Sequence, residues 1–279
     1  MSGPHDGDGE FDPADADFTA EHVGLVAPDV DAEAARHLRR LVASWGMLAD
    51  LSFSDLLLYV QEPLAPGAAE RSFVVVNQVR PNTGQTLFLE DVVGRRVSAS
   101  QRPVVARAAG SARVEQDEVD SAWLGERIRV TAIPVRVGGR VVAVMARESA
   151  MSMTRSPGEL ERVYLEVFER FARMVAEGTF PYDEEEVHAA GAPRVGDGVV
   201  VLDDDARVVF ASPNAVSALR RLRISGRIQG ANLTEIGAEN SVTYRAYFSG
   251  RPAAEEVERG EVTVALWCLP LLTGSEVDG

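Results

Sequence analysis

The residues best equipped for chemistry stand together at Arg80-Pro81-Asn82-Thr83-Gly84-Gln85-Thr86. A guanidinium, a carboxamide and two hydroxyls within one short loop suit an anionic metabolite, recognised through charge-assisted hydrogen bonds. Arg80, Asn82, Thr83 and Thr86 are therefore the candidate ligand contacts. A second account stands beside this one: Pro-Asn-Thr-Gly is ordinary turn chemistry, and Arg80 can pair with a neighbouring carboxylate. The other reactive residues are isolated. Cys268 is the sole cysteine, which excludes an intramolecular disulfide and any multi-cysteine zinc or iron–sulfur site. It shares a strand face with Val264 and Leu266 and reads as a buried, inert thiol. His5, His22, His37 and His188 lie far apart, with no paired metal-ligand spacing. His37, beside Arg39 and Arg40, reads as part of a solvated helix face. Asp50 and Asp55 flank Leu51-Ser52-Phe53 with no base near them in sequence, so no acid/base pair and no metal site is expected.

Composition narrows the chemistry further. All 28 basic residues are arginine, which excludes a P-loop lysine, a Schiff-base lysine and the strand lysine of a protein kinase. The formal charge of −15 is concentrated: residues 1–33 hold ten acidic groups and no arginine, whereas residues 34–279 hold 33 acidic against 28 basic. One-signed charge with little apolar content predicts a disordered acidic tail over residues 1–30. The acidic balance argues against a nucleic-acid surface. No signal peptide and no run of about 18 apolar residues is found, so the expectation is a soluble, cytoplasmic chain with no membrane contact.

The loop has to be positioned by elements legible on either side of it. A helix begins near Asp31 as N-cap, with Leu38, Leu41, Val42, Trp45 and Leu48 on one stripe; Trp45 reads as core. Asp55–Gln61 and Ser72–Arg80 are strand-like, and the loop follows the second. Arg127–Val137, Gly138-Gly139 and Arg140–Arg147 form a hairpin whose glycines supply the positive φ of a tight turn. Val135, Val137, Val142 and Val144 give it an apolar face. Ser156-Pro157-Gly158-Glu159 reads as a capping box that opens a helix over 157–177, about 31 Å long at 1.5 Å per residue. Its Val163, Val167, Phe171 and Met174 edge is wide enough to pack partly on the sheet and partly on a second subunit, the alternative being burial of the whole edge in its own domain. Residues 179–194, including Asp183 to Glu186, read as an acidic linker. A smaller unit then follows, with strands at 198–202, 207–211 and 263–271. Ser212 caps a helix there that carries Val216, Leu219 and Leu222, and Asn214 lies in its first turn. The class is α+β with antiparallel sheets rather than a parallel βαβ fold.

Trp45-Gly46-Met47-Leu48-Ala49-Asp50-Leu51-Ser52-Phe53-Ser54-Asp55 resembles the start of the GAF-like domain of PdtaS-type actinobacterial sensor histidine kinases. The Arg80–Thr86 loop and Ala176-Glu177-Gly178-Thr179-Phe180-Pro181 resemble that domain's loop and the exit from its last helix. Gly196-Asp197-Gly198, Ala211-Ser212-Pro213-Asn214-Ala215 and Gly230-Ala231-Asn232-Leu233 look like the PAS domain that follows. The resemblance implies two antiparallel-sheet sensor domains, GAF-like over 31–178 and PAS-like over 195–279, joined by a long helix and the linker. It also implies the sensory region of a cytoplasmic two-component kinase that senses a small ligand or redox state and biases autophosphorylation of a kinase module. The alternative is a dimerisation and docking scaffold with no ligand. A cyclic nucleotide in the GAF pocket, a homodimer, and a response regulator with an RNA-binding antitermination domain are the ligand and partners the resemblance suggests. The sequence as written carries no phosphoacceptor histidine box and no ATP-binding module, so no catalytic machinery is expected within it. The PAS sheet is expected to lack its last, central strand after a turn at Gly274–Gly279, leaving backbone groups unpaired beside its first strand.

Overall fold

A computed structural model describes residues 30–64, 66–121, 123–151, 157–182, 194–224, 226–233 and 241–279. The expected acidic tail, the Ser156 cap and Asp183 to Glu186 lie outside the described residues.

Asp55-Leu56-Leu57-Leu58-Tyr59-Val60-Gln61 is apolar without alternation, the pattern of a strand covered on both faces. It forms β1 (Asp55–Gln61), buried throughout except at Gln61. β1 lies inside a six-stranded sheet with β2 (Ser72–Val79), β3 (Arg96–Ser98), β4 (Glu115–Ser121), β5 (Glu126–Val137) and β6 (Arg140–Ala150). The spatial order is β3-β2-β1-β6-β5-β4, and every pairing is antiparallel. The two-residue strand period divides β1 between two cores. Leu56, Leu58 and Val60 face one way with Val74, Val76, Ile133 and Met145; Leu57 and Tyr59 face the other with Phe73, Val75, Val130 and Ala146. The β5–β6 hairpin turns at Gly138-Gly139, both at positive φ, as expected. A register shift between Val135 and Arg136 parts its valines, so Val144 lies on the face opposite Val135.

Helix α1 (Ala32–Ser52) and helix α3 (Glu159–Glu177) cover the first face; helix α2 (Pro103–Ser111) covers the second. Asp31 caps α1 as its sequence predicts, accepting from the Ala34 amide at 2.9 Å. Trp45 is core at 3% exposure. His37 corrects its expectation: it lies on the buried side of α1, with Nδ1 3.4 Å from Arg40 Nη2. The start of α3 differs as well. Its N-cap is Gly158, whose amide donates to Glu161 Oε2 at 2.8 Å, so the reciprocal acid is Glu161 rather than Glu159. With 19 residues the helix is about 28 Å long. Val167, Phe171 and Met174 are buried within this chain.

The C-terminal unit starts with a short 3-10 turn (Val195–Asp197). It contains two antiparallel ladders, β7 (Val200–Leu202) with β8 (Val208–Ala211) and β9 (Ala253–Arg259) with β10 (Val262–Cys268). Helices α4 (Pro213–Arg221) and α5 (Ser241–Ser249) accompany them. Among the described residues no ladder joins β7–β8 to β9–β10. The residues after β10 form a small hairpin, β11 (Leu272–Thr273) and β12 (Glu276–Val277), turning at Gly274. That hairpin folds back onto α3: the Leu272 amide lies 3.4 Å from Met174 Sδ, and Arg170 Nη2 donates to the Asp278 carbonyl at 2.6 Å. Val195 and Leu271 belong to the same core as Leu48 and Phe171, so the unit's inner face is closed by α1 and α3. The α+β class with antiparallel sheets holds.

Candidate functional site: a loop docked on buried carboxylates

The loop leaves the end of β2 and returns by Phe88. Arg80 closes it, with Nε donating to the Phe88 carbonyl at 2.8 Å and Nη2 to the Glu90 carbonyl at 3.0 Å. Asn82 donates its backbone amide to Asp50 Oδ1 at 2.7 Å, and Thr83 Oγ1 donates to the Asp50 carbonyl at 2.6 Å. Thr86 Oγ1 donates to Asp55 Oδ1 and the Leu87 amide to Asp55 Oδ2, each at 2.6 Å. The structure thus brings all four candidate contacts into one loop seated on two aspartates. It leaves the side chains of Asn82 and Thr83 exposed and those of Arg80 and Thr86 half-buried. Gly84 permits the seating, since a Cβ there would stand 2.9 Å from the Phe53 carbonyl oxygen.

Both aspartates occupy unusual ground. Asp50 sits in the last turn of α1 at 1% exposure, where a carboxylate opposes the helix dipole. Its compensation comes from outside the helix: the Asn82 amide on Oδ1, and Arg194 Nε 3.3 Å from Oδ2. Arg147 on β6 supplies a cation to the same helix end, donating to the Ser52 carbonyl at 3.1 Å and to Ser54 Oγ at 3.1 Å. Burial lowers its guanidinium to about 10. Phe53 ends α1 in the left-handed region at φ 52°, and its ring stacks on Tyr164 at 5.9 Å.

Asp55 is fully buried, and it stands directly across the β1–β6 ladder from Glu148. Like charges directly opposite each other in a sheet destabilise it, so each carboxylate needs its own partners. Asp55 has Thr86 and Leu87. Glu148 has the Tyr59 hydroxyl at 3.3 Å and Arg102 Nη1 at 3.2 Å from both of its oxygens. Burial nevertheless raises both carboxyls above their ordinary range, and Asp55 adds to the rise at Glu148. The Arg102 guanidinium lies over the Trp123 ring at 4.0 Å. This cluster escapes a sequence reading because its members come from β1, β6 and the start of α2. In the sequence Glu148 follows Arg147 at the polar end of its strand, where an acid beside a base gives no sign of burial.

A gap of about 10 Å³ lies beside Arg102 under α2, and each face of the sheet packs its apolar side chains against those of the covering helices. A larger cavity, about 560 Å³, lies in the C-terminal unit and is lined by Asp204, Asp205, Tyr244, Tyr247, Phe248 and Glu276 among others, none of them from the loop. Cys268 is free and half-buried, and burial pushes its thiol up to about 11, which fits an inert residue. Asn214 donates to the Gly196 carbonyl at 2.7 Å, and Ser212 caps α4. Among the described residues, no group of acidic, histidine or cysteine side chains could hold a metal ion.

An antiparallel sheet flanked by helices, with a polar loop locked onto its first helix, defines a sensor domain of the GAF class. The family model described as the GAF domain of histidine kinase PdtaS matches residues 23–168. The chain belongs to the family of PdtaS sensor histidine kinases. It is 35% identical to the sensor histidine kinase PdtaS of Mycolicibacterium smegmatis over 275 residues, covering 93% of this chain and 53% of that protein. The PdtaS of Mycobacterium tuberculosis H37Rv is 34% identical over 272 residues, covering 92% of this chain and 52% of that protein. The chain therefore spans about half the length of these relatives. A solved structure described as the sensor region of a sensor histidine kinase superposes with a TM-score of 0.76 at 32% identity, covering 94% of this chain and 95% of that one.

Proposed function

We propose that this chain is the input region of a two-component histidine kinase, and that displacement of the Arg80–Thr86 loop biases autophosphorylation of a kinase module. The observation that carries the reading is the seating of the loop. It is held by polar bonds to Asp50 and Asp55, at the junction between the first helix and the first strand. A small anionic ligand that engages Arg80, Asn82, Thr83 and Thr86 competes with those bonds, so its binding energy is felt at the junction. The kinase acts in the cytoplasm as a homodimer and passes phosphate to a response regulator with an RNA-binding antitermination domain. No helix among the described residues is long and apolar enough to cross a membrane, which accords with that location. The C-terminal unit is a PAS-like relay between the GAF domain and the kinase.

A specific observation favours the second reading, a scaffold with no ligand: the sheet face under α2 is packed with apolar side chains and the gap beside Arg102 is about 10 Å³, so a cyclic nucleotide would have to open the α2 side to enter there. Thermal-shift titration of this chain with cyclic nucleotides and other anionic metabolites separates the two. The sensing reading expects a saturable rise in Tm that Asn82→Ala abolishes, because that side chain is exposed and its removal spares the docking bonds. No shift with any of these ligands supports the scaffold.

A further inference from the structure

The loop site is not complete within the GAF-matched residues 23–168. Buried Asp50 Oδ2 accepts no hydrogen bond from the loop or from its own helix; its nearest cation is Arg194 Nε at 3.3 Å, close enough for an ion pair but not aligned as a hydrogen bond. Arg194 immediately precedes the 3-10 turn that opens the C-terminal unit. A glycine in the interior of α1 makes room for it. A Cβ on Gly46 would stand 2.3 Å from Arg194 Nη1, so the guanidinium lies directly against the helix backbone one turn before Asp50. Glycine weakens a helix interior, and here its position is explained by the side chain that crosses it.

On its other side Arg194 is fixed to the C-terminal unit. Val195, the next residue, is 4% exposed and packs in the shared core. The Gly196 carbonyl is held by Asn214 of α4, and a Cβ on Gly198 would meet the Ala215 backbone nitrogen at 2.7 Å. The segment 194–198 is therefore seated on the start of α4 at one end and on α1 at the other. A second contact runs parallel to it: Phe53, whose carbonyl touches the loop at Gly84, stacks on Tyr164, and Tyr164 meets Phe210 of β8 edge-on at 6.2 Å.

We infer that Arg194 is a positioning residue of the loop site, supplied by the C-terminal unit, and that Gly46 admits it. Through Asp50 the seating of the loop and the seating of the C-terminal unit are one reciprocal equilibrium: whatever detaches Asn82 and Thr83 loosens Arg194, and whatever withdraws Arg194 loosens the loop. This rests on the sensing reading only for its purpose. The coupling exists with or without a ligand.

The test uses the whole chain and no ligand, so its failure is distinguishable from failure of the sensing reading. Amide hydrogen exchange is followed at Asn82 and at Gly198, whose amide bonds to the Val195 carbonyl. Arg194→Gln is expected to speed exchange at Asn82 about tenfold, the loss of roughly one charge-assisted contact, although Arg194 does not touch that residue. Thr83→Val is expected to speed exchange at Gly198 in return. Gly46→Ala is the discriminating variant, because it displaces the guanidinium while improving the helix: Asn82 exchanges faster while the amides of Leu41 to Leu48 hold or gain protection. An unchanged Asn82 rate in Arg194→Gln, a Gly198 rate that ignores Thr83→Val, or a Gly46→Ala that merely frays α1 overturns the proposal.

Discussion

The two units of this chain solve the same problem with different means. In the N-terminal unit six strands form one continuous sheet, and each face has its own core, so that β1 is hydrogen-bonded on both edges and covered on both sides. Among the described residues the C-terminal unit has three separate two-stranded ladders, of which β7–β8 and β9–β10 pack on a core of Val208, Leu219, Leu222, Ile224, Ile228 and Val257. Two-stranded ladders are marginal by themselves. This unit is stabilised by borrowing: Val195 and Leu271 complete the core of α1 and α3, and the β11–β12 hairpin bonds to Arg170 and Met174. The difference shows where a signal can be carried. Under the proposed sensing function the sheet, paired and covered on both faces, is the platform, and the joint between α1, α3 and the unit that leans on them is where displacement is expected.

Truncating the shared joint is the largest perturbation expected. Phe171 is 2% exposed and packs edge-on against Phe180 at 5.1 Å, so Phe171→Ala is expected to cost about 3–5 kcal/mol. Chemical denaturation should show both units losing stability together. If only the sheet weakens, the C-terminal unit does not lean on α3. A smaller, local effect is expected from Leu222→Ala in the minor core, about 2–4 kcal/mol. Hydrogen exchange should rise across β7 to β10 while the β1 and β6 amides keep their protection. Global unfolding at the same midpoint for both units would erase the distinction between platform and leaning unit.

The smallest effect concerns the platform itself and reads out as a pH dependence. Burial raises Glu148 above its ordinary 4.5, so above that pH the unfolded chain has released a proton that the folded chain still holds. Its contribution to stability is therefore greatest in acid and declines as pH rises from 4.5 through the folded value. Asp55, opposite it and also raised, has the same sign. Glu148→Gln, which has no carboxyl to ionise, should show a shallower decline across that pH window. Urea midpoints measured from pH 4.5 upward check this, and parallel curves for the two proteins would remove Glu148 as the cause.

Much of the scaffold is legible in the chain itself. Asp31 as N-cap, the bounds of β1, the glycine turn between β5 and β6, and Ser212 as the cap of α4 all follow from local rules, because each is fixed by residues within one turn or one ladder step. Short elements of weak pattern are not legible in the sequence: α2, α5, β3, β4 and β9 have mixed or polar surfaces, and among the described residues β9 pairs with β10 alone. The loop was legible as a donor-rich segment, but its docking partners were not. Asp50 and Asp55, five residues apart with no base near them in sequence, are weighed there only as an acid/base pair and not as the seat of the loop.

By itself the sequence determined the family, the α+β class, the absence of lysine chemistry and the place of the loop, since these depend on residue types and on spacings of a few positions. Tertiary structure alone decided which groups the loop meets. It sets Glu148 opposite Asp55 through the β1–β6 register, buries His37, and carries Arg194 back across Gly46 to a carboxylate 144 positions earlier in the chain. The reason is physical. A charge buried at a helix end needs a counter-charge within a few ångströms, and only the folded path of the chain determines which residue supplies it.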